Sequence, residues 1–184
     1  MRALLALFLL VLAGCASDPG AASIRGELRY GMDDAPEGRK LMWPAPPEIP
    51  RFLYTGTLTG EHNFRRPAAE TGGLKAFGRW ILGLDDRPPA PVVLQRPGAV
   101  VSDDHGRVYV SDTSRQAVFV FDEAAGELLV WDRAQGLVGF VAPSGLAVGL
   151  GRLYIADADL AAVFVLDARG EPLSVIGRGL LKRP

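Results

Sequence analysis

The chain has 184 residues, of which 22 are Gly and 14 are Pro, and 48% of its residues are hydrophobic. Twenty Lys and Arg stand against 21 Asp and Glu, a formal net charge of −1, so no global field argues for nucleic acid or an anionic surface as partner. Gly and Pro recur between short apolar runs, which favours a turn-rich β protein over a helical bundle.

At the N-terminus Met1 and Arg2 precede eleven apolar residues, Ala3 to Ala13, followed by Gly14 and the only cysteine, Cys15. Such a run matches the apolar region of a signal peptide and falls short of the ~20 residues needed to span a bilayer. Leu12-Ala13-Gly14-Cys15 resembles the bacterial lipobox. That resemblance implies cleavage after residue 14, lipid attachment at Cys15, and a place in the bacterial cell envelope as an outer-membrane lipoprotein facing the periplasm or the surface. A single cysteine also excludes an intrachain disulfide and a CxxCH haem attachment.

Residues 15–50 read as the lipidated cysteine and a tether rich in Gly and Pro. Within it, Met42-Trp43-Pro44-Ala45-Pro46-Pro47-Glu48-Ile49-Pro50 can neither form a helix nor pair as a central strand, because its prolines lack a backbone donor. Trp43 is expected to pack on the first structured unit, and Arg51 to Leu58 to form the first strand. Leu74, Phe77, Ile81 and Leu84 fall at helical spacing, which predicts one helix over 74–84 that ends before Asp85-Asp86-Arg87-Pro88-Pro89.

Downstream the chain repeats itself. Gly98-Ala99-Val100-Val101 matches Gly145-Leu146-Ala147-Val148 at a spacing of 47. Gly106-Arg107-Val108-Tyr109-Val110-Ser111-Asp112 matches Gly151-Arg152-Leu153-Tyr154-Ile155-Ala156-Asp157 at 45, and Ala117-Val118-Phe119-Val120-Phe121-Asp122 matches Ala162-Val163-Phe164-Val165-Leu166-Asp167 at the same 45. Gly126-Glu127 and Gly170-Glu171 then precede a fourth apolar stretch. Four short strands in about 45 residues is the period of a β-propeller blade. The runs VFVF and VFVL lack polar alternation, so both faces of their sheets must be covered. Stacked blades supply that cover, whereas a parallel α/β sheet would need crossover helices for which the turns leave no room.

The succession P-x-G-x-A-V, G-R-x-Y-x-x-D, V-x-V-x-D and G-E resembles the NHL repeat of six-bladed β-propellers. The segments LMWPAPPEIPRFLYTGTLTG and WILGLDDRPPAPVVLQRPGAVV are similar to the N-terminal part of bacterial NHL-repeat lipoproteins, so the resemblance covers about residues 41–184. It implies an all-β chain of propeller blades, each of four antiparallel strands, over residues 51–184: two clear blades and a partial one between Arg51 and Val93. Leu180-Leu181-Lys182-Arg183-Pro184 echoes Val93-Leu94-Gln95-Arg96-Pro97, so the sequence stops where another repeat is expected to begin. That predicts an incomplete, open propeller from a truncated chain, in preference to three blades completed by oligomerisation.

Candidate chemistry is sparse. Asp112 and Asp157 close the second strands and Asp122 and Asp167 the third, and recurrence at matched positions assigns them to backbone hydrogen bonding in turns. Asp103, Asp104 and His105 form the one polar cluster that the second repeat lacks, which makes them the candidate binding residues, with His62 as an isolated further possibility. No Gly-rich phosphate loop or nucleophile elbow is present, and no catalytic residue, metal site or cofactor is assigned. The function expected is a lipid-anchored, exported propeller acting as a binding or scaffold module for a protein or small molecule. The alternative is a fragment of an exported propeller enzyme, of the lactonase or lyase kind. Nucleic acid is not expected as a partner, because Ala117 and Ala162 stand where NHL repeats that bind it often carry a basic residue.

Overall fold

The computed structural model describes residues 21–31, 41–65, 90–136 and 138–177. Five strands precede the repeats: β1 (Ala21–Arg25), β2 (Glu27–Leu28), β3 (Met42–Trp43), β4 (Phe52–Leu53) and β5 (Phe64–Arg65), with a short 3-10 turn at Glu61–Asn63. The first repeat gives β6 (Pro97–Ser102), β7 (Arg107–Asp112), β8 (Ala117–Asp122) and β9 (Glu127–Trp131). After a small ribbon, β10 (Arg133–Gln135) with β11 (Val138–Gly139), the second repeat gives β12 (Pro143–Gly149), β13 (Arg152–Asp157), β14 (Ala162–Leu166) and β15 (Pro172–Ile176). All ladders are antiparallel. The protein is all-β, and each repeat folds as one blade whose strands neighbour one another in chain order.

Both faces of the first blade are buried, as the unbroken apolar run of β8 requires. Ala117, Phe119 and Phe121 join Val110 and Leu128 on one face, where Ile24 and Phe64 close over them. The Phe64 and Phe121 rings stack with centroids 6.2 Å apart. Val118 and Val120 join Tyr109 and Trp131 on the opposite face, packed against Leu153, Ile155, Phe164 and Leu166 of the second blade. That alternation follows from the two-residue period of a strand, with one face given to the N-terminal strands and the other to the next blade.

The structure corrects the one-residue detail of the first matched block. Pro97 pairs with Asp112 and Ala99 with Ser111, so Gly98 is bulged out of the ladder. In the second blade Pro143 pairs with Asp157 and Gly145 with Ala156, which leaves Ser144 as the bulge. Ala99, not Gly98, is therefore equivalent to Gly145. A one-residue slip would turn each side chain to the other face, and the bulge at the same place in both blades fixes which face is inward.

Part of the expected tether belongs to the sheet. Ala21–Arg25 pairs along Glu127–Trp131 as a fifth strand of the first blade. The outer edge of β9 offers unpaired backbone groups, and Ile24 is buried in the core against Leu128. One isoleucine among small residues is too faint a pattern to show in sequence. The first strand expected at Arg51 to Leu58 shrinks to Phe52–Leu53, paired with Met42–Trp43 in a small hairpin. Gly56 interrupts it at φ 144°, where a Cβ would lie 2.5 Å from Tyr30 Cβ. Trp43 is exposed rather than packed. The expected helix over 74–84, Cys15, most of the partial blade and the echo at 180–184 lie outside the described residues.

Candidate functional site

The turns that end β6, β12 and β14 meet at one end of the blade pair and border a cleft of about 290 Å³. Its walls include Asp103, Asp104 and His105 from the first blade and Leu150, Arg152 and Ala168 from the second. The three residues singled out by their absence from the second repeat therefore stand at the junction of the two blades.

Asp103 organises that junction. Its Oδ1 accepts the backbone N–H groups of His105 and Arg107, each at 2.9 Å. Its Oδ2 accepts Arg107 Nε at 2.7 Å and the Tyr109 hydroxyl at 3.1 Å. Burial by itself would push the carboxyl up, but the bonds from Arg107, His105 and Tyr109 together hold it below its ordinary value. Tyr109 moves the other way, pushed well up, chiefly by burial and further by the Asp103 charge, despite the lowering influence of Arg107. Its hydroxyl is thus kept protonated as a donor.

Arg107 is the second arm of this device. With Nε held by Asp103, its Nη1 donates to the Ala168 carbonyl of the second blade at 2.7 Å. Its guanidinium carbon lies 5.7 Å from the centre of the Tyr109 ring. A fixed guanidinium fork can serve a carboxylate and a carbonyl at once, which a lysine could not do in the same geometry. Asp103 and Arg107 thus clip blade to blade. Asp104 and His105 are exposed beside them, and neither side chain has a hydrogen-bond partner among the described residues. Arg152, equivalent to Arg107, is likewise exposed and unpartnered among the described residues.

The repeated aspartates do what their recurrence implies. Asp112 accepts the N–H groups of Gln95, Arg96 and Arg115. Asp157 accepts those of Val141, Ala142 and Leu160. Each buried carboxylate therefore ties the segment entering its blade to the turn leaving the second strand. Asp122 accepts the Ala125 N–H, and Asp167 those of Arg169 and Glu171, closing the next turns. The bonds to Asp112 and Asp157 are part-buried, whereas those closing the turns at Asp122 and Asp167 are exposed.

His62 lies in the 3-10 turn of Glu61–Asn63, exposed and away from the cleft lining. Its neighbour Asn63 carries the structural load that sequence reading missed. The Asn63 Nδ2 donates to the Arg29 and Thr57 carbonyls, while its Oδ1 accepts the Thr59 and Gly60 N–H groups. Thr57, Thr59 and Gly60 lie within six residues of it, but the Arg29 carbonyl is 34 residues earlier, and that long-range bond ties the turn to the segment after β2. Among the described residues no three His, Cys, Asp or Glu side chains converge as a metal site.

A carboxylate, an imidazole and a guanidinium border the cleft, with the exposed Leu150 at its rim. No curated protein matches the chain. The family description of the NHL repeat matches residues 94–121, the stretch that runs from the entry to the first blade through the end of the VFVF strand. An NHL repeat is thus found at residues 94–121, within the first blade of this all-β chain.

Proposed function

We propose that this protein is an exported, lipid-anchored binding module built from NHL-type blades of a six-bladed propeller. Cys15 is its lipid attachment point in the cell envelope, and the cleft between the blades is its contact surface for a small polar molecule or a protein loop. One observation carries the binding reading. The turn in which the two repeated blades differ most, Asp103-Asp104-His105 against Gly149-Leu150, borders the cleft on both sides. Repeated residues such as Asp112 and Asp157 are spent on backbone, whereas Asp104 and His105 present unused polar groups to solvent. Exposed polar residues on a rigid β scaffold are the common arrangement for recognition.

The anchor reading draws its support from the apolar run ending at the sole thiol. Metabolic labelling with an alkyne palmitate should mark the wild type and leave Cys15→Ala unmarked; equal labelling would overturn it. For the cleft, the full chain is screened by thermal shift against small polar metabolites. Compounds that raise the midpoint should lose that effect in Asp104→Ala and His105→Ala. Binding that persists undiminished in both variants would remove the cleft as the site.

A further inference from the structure

We propose that the proline-rich hairpin of β3 and β4 is a membrane-contact finger that dips into the interfacial layer of the bilayer carrying the protein. The proposal rests on the lipid-anchor reading only for bringing the chain to a membrane.

Among the described residues the Trp43–Phe52 face of the hairpin is exposed, and the opposite face is exposed at Leu53 and half-buried at Met42. Trp43 pairs directly with Phe52, and Met42 with Leu53, so the two pairs face opposite directions. Phe52 is 70% exposed, and Ile49, at the connection, is 85% exposed; Trp43 and Leu53 are also exposed. From Leu41 to Leu53 the only charged residues are Glu48 and Arg51, which cancel. Large apolar side chains held together in water mark a contact surface. A folded protein partner would seat against one face of such a ribbon and leave the other wet, whereas the fluid interface of a bilayer surrounds both. Trp and Phe suit that layer, since an amphipathic indole sits at headgroup depth.

The backbone fits the same environment. In an apolar medium each unpaired N–H is costly, and Pro44, Pro46, Pro47 and Pro50 have none to satisfy. At the base of the hairpin the Arg51 N–H donates to the Trp43 carbonyl at 2.7 Å and the Tyr54 N–H to the Leu41 carbonyl at 2.8 Å. The tip thus exposes few donors while presenting its apolar side chains.

Chain length supports the lipid surface as occupant. Ala21 begins a strand of the first blade, six residues after Cys15. Even fully extended, that stretch spans only about 20 Å. An acylated Cys15 would hold the blade close to the bilayer, rather than on the long tether that the composition of residues 15–50 suggests. The hairpin belongs to the same N-terminal layer, joined to it through the pairing of β2 with β5 and the Gly31–Thr57 bridge.

The test uses the full chain on vesicles of phosphatidylethanolamine and phosphatidylglycerol, in the wild-type and Cys15→Ala backgrounds. An environment-sensitive fluorophore is placed at Ile49→Cys or, as control, at Leu150→Cys on the cleft rim. Spin-labelled lipids should quench the probe at 49 at least about threefold more than that at 150, with a blue-shifted emission. Trp43→Ser with Phe52→Ser should bring quenching at 49 down to the level at 150. Equal quenching at the two sites in vesicle-bound protein would overturn the proposal. So would a probe at 49 that is shielded in native envelopes but aqueous on pure vesicles, since that result assigns the hairpin to a protein partner. Palmitate incorporation, read on the same samples, reports separately on Cys15, so loss of the anchor reading and loss of the hairpin proposal give different results.

Discussion

The two blades are built to one plan and finished differently. Asp112 and Asp157 make the same backbone bonds, and the bulges at Gly98 and Ser144 fall at the same place. Yet Trp131 at the end of β9 is only 5% exposed, while the register-equivalent Ile176 at the end of β15 is 53% exposed. Trp131 lies beneath the second blade: Tyr109 packs against its ring at 5.9 Å, and a Cβ added to Gly170 would lie 2.5 Å from it. The outer face of the first blade is also roofed by Ile24 and Phe64. The lesson is that a blade's own sequence prepares both faces for burial, and its neighbours decide whether burial happens. The positions that repeat hold the blade together, and those that do not, Asp103 to His105 above all, shape what the pair shows to solvent.

The sharpest way to break this comparison is to truncate the equivalent residues. Trp131→Ala should cost about 3–5 kcal/mol in chemical denaturation, as large-to-small changes in a filled core do, against under about 1 kcal/mol for Ile176→Ala. Similar losses at the two sites would show that the second blade is covered as fully as the first.

Somewhat smaller effects are expected where the blades are alike. Asp112→Ala and Asp157→Ala each remove a buried carboxylate that accepts three part-buried backbone donors and should each lower stability by about 2–4 kcal/mol, since each N–H left without its partner carries a desolvation cost. Matched losses support equivalence of the two carboxylates, and a loss at only one position would refute it.

The clip between the blades should give a smaller and one-sided signal. Arg107→Ala removes the bond to the Ala168 carbonyl and leaves Asp103 without its counter-charge, an expected loss of about 1–2 kcal/mol. Arg152→Ala, at the equivalent position, should leave the denaturation midpoint unchanged.

The smallest effect is in the pH dependence of the same clip. The Asp103 pKa is lowered in the folded protein, so its contribution is present above the pKa of the unfolded chain and is lost as pH falls through the folded value. Wild type should therefore lose more stability than Asp103→Asn between neutral pH and the acid side of the carboxylate range. Parallel curves would show that the Asp103 charge contributes nothing at the junction.

Much of the blade is legible in the sequence. The matched GRxYxxD and VFVF blocks mark β7, β8, β13 and β14, and the assignment of Asp112 and Asp157 to backbone bonding follows from their recurrence alone. The difference between the turns drew attention to Asp103, Asp104 and His105 on the same reasoning. What could not be read was how those three divide. Asp103 faces inward to Arg107 and Tyr109, a choice set by a guanidinium that must also reach Ala168, 61 residues away, while Asp104 and His105 stay in solvent. Asn63 is similar in part: its bonds to Thr57, Thr59 and Gly60 are local, but the one to the Arg29 carbonyl spans 34 residues.

The sequence by itself determined the all-β class, the blade period and the need for cover on both faces of each central strand, because these follow from side-chain periodicity and turn chemistry within a few residues. Only the tertiary structure decided that Ala21–Arg25 leaves the tether to become the edge strand of the first blade, and that the Trp43–Phe52 pair stays uncovered. Those outcomes depend on which distant backbone edge is free to pair and which apolar surface lies close enough to bury a ring, and no local pattern encodes either.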